Sequence, residues 1–532
     1  MFEVDVVKRG PLKGMNPVVT LGAAAVMVLT LLAGTLATDT LAWSLKTMRE
    51  MVTPFLAWYY VALVAFLLAF VVWLGTGRYK NIRLGGDDER PEFTTLPWLA
   101  MLFAAGTGVG LLFWSIAEPI LHFSGNPFVK EAATPEAAIA AMRLTYFHWG
   151  LTAWGIFASV AIALAYFAYR RGLPLTLRSV FYPLIGHRIH GIPGHAVDIF
   201  AVVATVVGVA TTLGLGAQQM GTGLSELFGW EQSQQSQLIV IAVVTIAATA
   251  SVASGVRRGV RRLSELNIWL SLILLAFFLV LGPTWTLFGY LFQSTGEYLQ
   301  NFLAHSFWTG VDDHDNWHAE WTVFYWGWWL AWSPFVGMFI ARISRGRTLR
   351  EFVFGVLLMP TIFNFIYIAA LGGTAIEMEL AGKNGIATAV QQDVTVALYR
   401  TLEVLAPLEW MGVAASAVAT LLIAVYFITS ADSGTLVINT IMSSGNPHPP
   451  MVHRVIWGLG IGFLTAVLVV AGGVGTLQDA VIAAALPFSF ILIVMTWGMV
   501  QGLREERVAP RPGRKQRLSA EPWTGADSES EL

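Results

Sequence analysis

The sequence predicts an all-α polytopic membrane protein with twelve transmembrane helices. Hydrophobic residues make up 55% of the 532 residues and charged residues only 12%, about half the charged share of an ordinary soluble domain. Apolar runs of about 20 residues, long enough to cross a bilayer as helices, recur along the whole chain. The positive charges are also divided unevenly between the two sides of the predicted membrane.

Each of the twelve apolar runs is bounded by charged residues, proline or glycine, and each is predicted to form one membrane helix. The predicted spans are 17–39, 54–75, 97–120, 143–169, 196–220, 237–255, 267–292, 321–341, 350–373, 407–435, 453–472 and 477–501. The predicted organisation is an N-terminal segment 1–16, helices one and two in 17–96, helices three to seven in 97–292, an outer segment 293–320, helices eight to twelve in 321–501 and a tail 502–532.

The distribution of positive charge predicts the orientation. With the N-terminus inside, the outer side holds only six of the 32 Lys and Arg residues, namely Lys46, Arg49, Lys130, Arg143, Lys383 and Arg400. The positive-inside rule therefore places both termini in the cytoplasm. The first 16 residues are followed by a run long enough to span, so no cleavable signal peptide is predicted.

The amino-acid composition also excludes several classes of function. The chain has no cysteine, which excludes disulfides, thiol chemistry and Cys-ligated metals. A net charge of −2 gives no indication of nucleic-acid binding. His314 and His318 have the spacing of a metal-binding pair but lack the adjacent glutamate of a zinc protease. No enzyme and no cofactor are predicted.

Two segments outside the spans each allow two interpretations. Residues 294–308 carry Tyr298, Phe302 and His305 at helical spacing, which indicates either an amphipathic helix on the outer surface or a simple re-entry loop. Residues 504–517 of the tail are basic. They could lie on anionic lipid and sense it, although a solvated, disordered tail is the ordinary interpretation.

Helix three contains three closely spaced glycines, Gly106, Gly108 and Gly110. Two of them, four residues apart, would suffice for close helix packing, but three weaken the helix by roughly 1 kcal/mol each. In transporters such interruptions mark discontinuous helices that bind ions and substrates. A break in helix three is therefore predicted.

The segment Trp321–Trp332 contains five of the 21 tryptophans of the chain. An interfacial belt accounts for one or two of these rings near a helix end. Rings spread over two turns favour a cage for a quaternary ammonium, held by cation–π attraction. Helix four adds Trp149, Trp154 and Phe157, and two aromatic helices are needed because Trp149 and Trp154 lie about 140° apart on an ideal helix. His148 between them is predicted to be a hydrogen-bonded structural residue.

Helix ten carries adjacent hydroxyls at Thr429 and Ser430, followed by Asp432. Such hydroxyls ordinarily bond to carbonyl groups of their own helix. The alternative is that they are hard oxygen ligands for a small cation, next to carbonyl groups freed by the break in helix three. Asp432 is interpreted as a solvated or capping residue near the inner end, unless it lies at membrane depth.

Four segments together resemble the betaine/choline/carnitine transporter family along nearly the whole chain. They are AAGTGVGLLFW…AEP at 104–119, FHWGLTAWGIF at 147–157 with the loop that ends at 186, ATTLGLGAQQ at 210–219 and WTVFYWGWWLAWSPFVGMFIARISRGRT at 321–348. The resemblance implies twelve helices, with three to seven and eight to twelve forming inverted repeats of the LeuT type. It also implies a homotrimer in the cell inner membrane that takes up quaternary ammonium or sulfonium osmolytes by alternating access, as osmoprotection.

The resemblance assigns site residues as well. It places the cage at Trp149, Trp154, Phe157 and Trp329, with Trp326, Trp328 and Trp332 in pathway or supporting roles and Trp321 in the interfacial belt. Phe157 stands where the family often has tyrosine. Choline-preferring members tend to carry aspartate at the position of Gly110, so glycine favours a zwitterion such as glycine betaine or dimethylsulfoniopropionate, with its carboxylate near Gly106, Gly108 and Gly110.

The coupling ion implied by the resemblance is sodium. Its ligands would be Thr429 and Ser430 with the carbonyl groups of Ala104 and Thr107, beside Tyr426. Thr205 is a doubtful member of a second sodium site, because Val209 replaces an expected threonine. The alternatives are a sodium-independent exchanger of carnitine type, a choline carrier, an osmosensor that reads lipid charge through its tail and, from another class, a membrane-embedded acyltransferase with His148 or Asp432 as base.

Overall fold

The computed structural model describes residues 6–106, 108–254, 257–311, 316–382 and 385–508, and nearly all of them are helical. The α-helices are α1 Pro17–Leu36, α2 Thr38–Thr76, α3 Thr95–Gly106, α4 Val109–Ser124, α5 Pro135–Trp149, α6 Leu151–Ala165, α7 Tyr182–Ile185, α8 Ile192–Phe228, α9 Gln234–Ser254, α10 Arg257–Leu281, α11 Thr284–Phe307, α12 Phe324–Ile343, α13 Leu349–Leu380, α14 Ile386–Gln392, α15 Ala397–Leu405, α16 Glu409–Met442 and α17 Met451–Val508.

The predicted fold class, an all-α polytopic membrane protein, is confirmed. Within the described residues, nine helical stretches are long and apolar enough to cross a membrane. The longest of them contains two helices, because Gly472 and Gly473 leave helical geometry inside α17. Two further spans are the interrupted pair α3–α4 and the tryptophan-rich α12. These elements correspond to the twelve predicted spans.

The boundary between the seventh span and the outer helix differs from the prediction. The apolar pattern continues to residue 292, but α10 ends at Leu281 and α11 begins at Thr284. Gly282 and Pro283 separate them, because proline lacks a backbone N–H and cannot continue the hydrogen-bond ladder. Residues 294–307 are therefore the second half of a 24-residue helix and not a re-entry loop, while their place on the outer surface stays a prediction.

The central helix of the fold is α12. It packs against α6, α8 and α17, while α4 packs against α5 and α13. Most of α12 is buried, including Trp326 and Trp328 at 1% exposure. The aromatic residues singled out in the sequence therefore lie in the protein interior, where α4, α5, α6 and α12 meet.

Ion pairs join the ends of several helices on the side that is predicted to be cytoplasmic. Arg170, just after α6, pairs with Glu506 near the end of α17 and with Asp87 in the loop after α2, at 2.8 Å. In the same loop, Glu89 accepts hydrogen bonds from the backbone N–H of Gly86 and from Arg345. These donors lower the pKa of Glu89. The pairs connect the ends of α2, α6, α12 and α17.

Candidate functional site

Helix three is interrupted at the predicted glycines. The first half ends at Gly106 and the second begins at Val109, with Gly108 in extended geometry at φ −176° and ψ −177°. A side chain at Gly108 would meet no atom within 4 Å, so its backbone faces open space. The first N–H groups of α4 have no intrahelical partners and lie at the positive end of the helix dipole. This end of α4 can therefore accept a carboxylate. Thr107 lies outside the described residues.

Gly110 lets two tryptophan rings touch the backbone of α4. A Cβ atom at this position would lie 2.7 Å from Cη2 of Trp328 and 3.4 Å from Cη2 of Trp149. Glycine is therefore required for the observed approach of the Trp328 ring. An aspartate here would have to displace that ring before its charge could act on a substrate.

Helix four is also interrupted, which the sequence analysis did not predict. α5 ends at Trp149 and α6 begins at Leu151, with Gly150 between them at φ −94° and ψ −141°. The backbone carbonyl of Trp149 accepts a hydrogen bond from Asn364 at 2.9 Å, and the N–H of Leu151 donates to the hydroxyl of Tyr298 at 3.2 Å. The angle of 140° between Trp149 and Trp154 on an ideal helix therefore does not apply.

The four predicted cage residues form one chain of ring contacts. Trp329 lies 4.9 Å from Trp149 and 5.9 Å from Phe157 between ring centroids, and Trp154 lies 5.4 Å from Phe157. All three pairs are edge-to-face, at 74° to 77°, and each ring is only 3% to 5% exposed. The rings fill the space between them. A cationic head group within about 6 Å of several ring centres therefore requires the rings to move apart.

The other tryptophans of α12 support and extend this group. Trp328 stacks on Trp329 at 4.8 Å and donates its Nε1–H to Thr212 at 3.3 Å. Trp326 lies against Phe147. Trp332, about one turn after Trp329 in α12, lies 6.4 Å from Trp329 and 5.4 Å from Phe335.

Trp321, which was predicted for the interfacial belt, instead contacts His122 at 4.4 Å and Trp114 at 5.5 Å. Its ring therefore packs against other aromatic side chains of the protein, next to the buried α4.

Glu118 is a buried carboxylate that the sequence analysis did not single out, and its hydrogen bonds connect α4 with α5 and α12. Glu118 in α4 is fully buried and accepts hydrogen bonds on both oxygens. On Oε1 it meets His148 Nδ1 at 2.6 Å and His122 Nε2 at 3.3 Å. On Oε2 it meets Trp149 Nε1 at 2.9 Å and the hydroxyl of Tyr325. The signal was present, because an acidic residue inside a predicted membrane helix is a functional candidate by default.

This network also fixes Trp329. The indole N–H of Trp329 donates to the backbone carbonyl of His148 at 2.9 Å, and His148 Nε2 contacts the hydroxyl of Thr322 at 3.1 Å. His148 is thus the hydrogen-bonded structural residue that the sequence predicted. Its histidine neighbour, His122, comes from α4, 26 positions earlier in the chain.

Glu118, His122 and His148 offer ligand atoms within 4.8 Å of one another, a spacing that could hold a metal ion. In the observed arrangement the 2.6 Å contact between His148 and Glu118 is a short hydrogen bond. Two ligand atoms on one tetrahedral zinc, each about 2.0–2.2 Å from the metal, would lie further apart. As it stands, the trio is a hydrogen-bond network.

Three of the predicted sodium-site residues, Tyr426, Thr429 and Ser430, line the same cavity as Trp332. The hydroxyl of Thr429 donates to the carbonyl of Val425 at 3.0 Å and accepts from Asn267 Nδ2 at 3.0 Å. Thr429, Ser430 and Tyr426 line a common cavity. The back-bond of Thr429 is the ordinary role of such a hydroxyl, so this geometry does not test sodium binding. The sodium site stays a prediction.

Two other polar residues on the sequence's candidate list have local partners. Thr205 donates to the carbonyl of Ala201 at 2.7 Å, within α8. Asp432 pairs with Arg454 at 3.4 Å and lines a cavity at the side that is predicted to be cytoplasmic. Thr205 therefore uses its hydroxyl proton within α8 and keeps both oxygen lone pairs, and Asp432 is a paired residue of the cavity wall.

Two adjoining cavities lie between the ring group and the helix ends that are predicted to be cytoplasmic. The inner aromatic cavity, about 150 Å³, is lined by Asn267, Trp332, Phe335, Phe339, Tyr426 and Ser433 among others. The vestibule, about 1060 Å³, is lined by Tyr169, Arg342, Asp432, Ser433, His448 and Arg454 among others. Ser433 lines both cavities, so they adjoin each other at this residue.

Known proteins are similar to this chain over most of its length. A family model described as BCCT, betaine/carnitine/choline family transporter, matches residues 18–508. The chain is 42% identical over 494 residues to a protein named glycine betaine transporter from Acinetobacter baylyi, covering 92% of this chain and 74% of the relative. It is 41% identical over 492 residues to glycine betaine transporter OpuD from Bacillus subtilis, covering 92% and 94%. A solved Na⁺-coupled sialic acid symporter aligns over 84% of each chain, with a TM-score of 0.36 and 11% identity.

Proposed function

The chain belongs to the betaine/carnitine/choline transporter family, and we propose that it imports a zwitterionic quaternary ammonium or sulfonium osmolyte. Glycine betaine and dimethylsulfoniopropionate are the substrates we propose. The observation that carries this proposal is the contact of Trp149, Phe157 and Trp329 in the interior, beside the free N-terminal end of α4. Aromatic faces attract the cationic head, and the α4 backbone N–H groups accept the carboxylate.

Gly110 supports a zwitterion rather than choline as the substrate. Choline has a positive charge that no part of the molecule balances, so an anionic side chain in the site would favour it. The space next to Gly110 is filled by Trp328 and Trp149. A zwitterion brings its own carboxylate and needs no such side chain.

We propose sodium symport with alternating access as the mechanism. The adjacent hydroxyls of Thr429 and Ser430 line the inner aromatic cavity, and hydroxyl oxygens are suitable ligands for a hard cation. The closed ring group on one side and the two adjoining cavities on the other support a pathway that opens to one face at a time. Sodium-independent exchange of carnitine type is the alternative mechanism.

We also propose a homotrimer in the cell inner membrane with both termini in the cytoplasm. The exposed apolar residues Leu299, Leu303 and Phe307 recur every four positions along α11 and are 61% to 69% exposed. Such a stripe suits contact with lipid or with a second copy of the chain.

Replacing Trp329 with leucine tests the substrate assignment. We expect the half-saturating concentration of glycine betaine to rise at least tenfold in proteoliposome uptake, because each cation–π contact contributes about 0.5–2 kcal/mol and Trp329 also holds its neighbours. Trp497→Leu is the matched control, since Trp497 is 58% exposed on the outer face of α17. Uptake with unchanged half-saturation in Trp329→Leu would contradict the proposal. Competition with dimethylsulfoniopropionate, carnitine, choline and ectoine in the same assay ranks the substrates.

A further inference from the structure

The indole N–H of the cage residue Trp149 donates to a charged acceptor. Its Nε1–H group meets Oε2 of Glu118 at 2.9 Å, whereas that of Trp329 donates to the uncharged backbone carbonyl of His148. A hydrogen bond to an ionised acceptor is roughly twice as strong as a neutral one, and hydrogen-bonded groups in a protein interior polarise one another. The bond to Glu118 therefore shifts electron density toward the ring of Trp149, which makes its face more negative.

The negative charge of Glu118 has no lysine or arginine partner among the described residues. Its contacts with basic side chains are those with His122 and His148, and a neutral imidazole can donate each of these hydrogen bonds. In His122 the second ring nitrogen, Nδ1, is buried without a hydrogen-bond partner, so a proton there would be a buried donor left unpaired. Together with Trp149 and Tyr325 the histidines supply four donors, which is the number that an ionised carboxylate accepts.

The ring of Trp149 lies between this charge and the start of α4. A Cβ atom on Gly110 would lie 3.4 Å from Cη2 at one end of the ring, and Nε1 at the other end donates to Glu118. Glu118 comes nine residues after Val109, the first residue of α4, an axial rise of about 13.5 Å. α4 thus has the positive end of its dipole on one side of the ring and a negative charge on the other. A zwitterion on this ring is attracted with its carboxylate toward Gly110 and its head toward Glu118.

We propose that Glu118 determines the specificity for a cationic head by acting through Trp149, whose face its charge makes more attractive to a cation. This inference rests on the proposed function. Glu118 is 0% exposed and enclosed by its donors, so it is a positioning residue that does not touch the substrate. Its hydrogen bonds alone would hold the rings for a charged or an uncharged ligand alike. Its charge, in contrast, favours the ligand with the cationic head.

A pair of ligands that differ only in the charge of the head tests this proposal. Glycine betaine has a trimethylammonium head, and the anion of tert-butylacetic acid has the same shape and the same carboxylate, with carbon in place of the charged nitrogen. Calorimetric titration of the purified full chain with glycine betaine, and competition by the uncharged-head analogue, give the ratio of their dissociation constants. In Glu118→Gln we expect the preference for glycine betaine to fall at least tenfold. Glu118→Asp, which keeps the charge, should reduce it less.

Tyr325→Phe is the matched control, because it removes a donor to the same oxygen of Glu118 and leaves the charge. It should weaken both ligands alike and leave their ratio unchanged. Trp149→Phe keeps an aromatic face without an N–H group, so its ratio should fall as in Glu118→Gln. Thermal unfolding shows which variants are folded, and Trp149→Phe decides the test if Glu118→Gln is not.

Two results overturn the inference. One is an unchanged ratio in Glu118→Gln or, where that variant does not fold, in Trp149→Phe. The other is an equal fall of the ratio in Tyr325→Phe, which would show that any damage to the hydrogen bonds has this effect. If the unmodified protein neither binds nor transports glycine betaine, the proposed function fails instead.

Discussion

At the scale of single residues, Glu118 organises the ring group. Its two oxygens receive four donors, from His122, His148, Trp149 and Tyr325. Trp149 is held directly, and Trp329 is held through the carbonyl of His148. Buried carboxylates are stable only when their acceptor sites are filled, so the carboxylate and the donors depend on one another.

Removing the carboxylate should therefore disable the site. We expect Glu118→Ala to lower glycine betaine uptake at least a hundredfold and to reduce thermal stability, because each buried donor that loses its partner costs about 1–3 kcal/mol. Glu118→Gln should retain more stability but still lose most uptake. The N–H groups of its amide would face side chains that donate to the carboxylate, such as Trp149 and Tyr325. Proteoliposome uptake and thermal unfolding are the two measurements. Glu409→Gln, at the exposed start of α16, should change neither, and normal uptake in both Glu118 variants would contradict this role.

The residues that could be predicted from the sequence are those with an unusual local pattern. The clusters of aromatic residues on two helices predicted that these helices meet. The resemblance to the transporter family assigned Trp149, Phe157 and Trp329 to one cage, and the structure brings their rings into contact. Glu118 was not predicted, because three of its four donors come from α5 and α12 and lie at least 30 positions away along the chain. Contacts between distant segments depend on packing, which a single sequence does not specify.

At the scale of helices, the two interruptions were not equally predictable. The break after Gly106 was predicted because three glycines in five residues exceed what packing requires. The break at Gly150 has one glycine, and its cause is tertiary: Asn364 and Tyr298 supply the hydrogen bonds that the helix gives up. It separates Trp149 on α5 from Trp154 on α6, so it sets the relative direction of two cage rings.

A methyl group at Gly150 should disturb that arrangement. Its Cβ atom would lie 2.5 Å from the carbonyl oxygen of Tyr146 and 3.0 Å from the hydroxyl of Tyr298, so the backbone or the tyrosine has to shift. We expect Gly150→Ala to weaken glycine betaine binding at least tenfold, measured by tryptophan fluorescence. Gly221→Ala serves as the control, because a Cβ atom there meets nothing within 4 Å. Equal affinity in both variants would show that the geometry at Gly150 is dispensable.

At the scale of the whole molecule, the two sides of the ring group differ. The rings fill the interior around Trp329, while Trp332 borders the inner aromatic cavity, which adjoins the vestibule. The ion pairs of Arg170 and Arg345 hold the surrounding helix ends together. Under the proposed alternating access the two sides exchange these roles, and an ion bound between helices is one means to drive the exchange.

Sodium dependence is the prediction that belongs to this scale. In the present arrangement the Thr429 hydroxyl donates to the carbonyl of Val425 and accepts a hydrogen bond from Asn267. A sodium ion that uses this oxygen has to compete with Asn267 for its lone pairs, so it favours an arrangement of α16 and α10 in which these two side chains are further apart. We therefore expect net uptake of glycine betaine into proteoliposomes to fall to background when potassium replaces sodium.

Thr429→Ala should raise the half-saturating sodium concentration at least tenfold. Thr30→Ala, which removes a similar back-bonded hydroxyl from exposed α1, should leave that concentration unchanged. Net uptake that persists in potassium would favour the sodium-independent exchanger, because a ligand that does not bind one arrangement better than the other cannot shift the equilibrium between them.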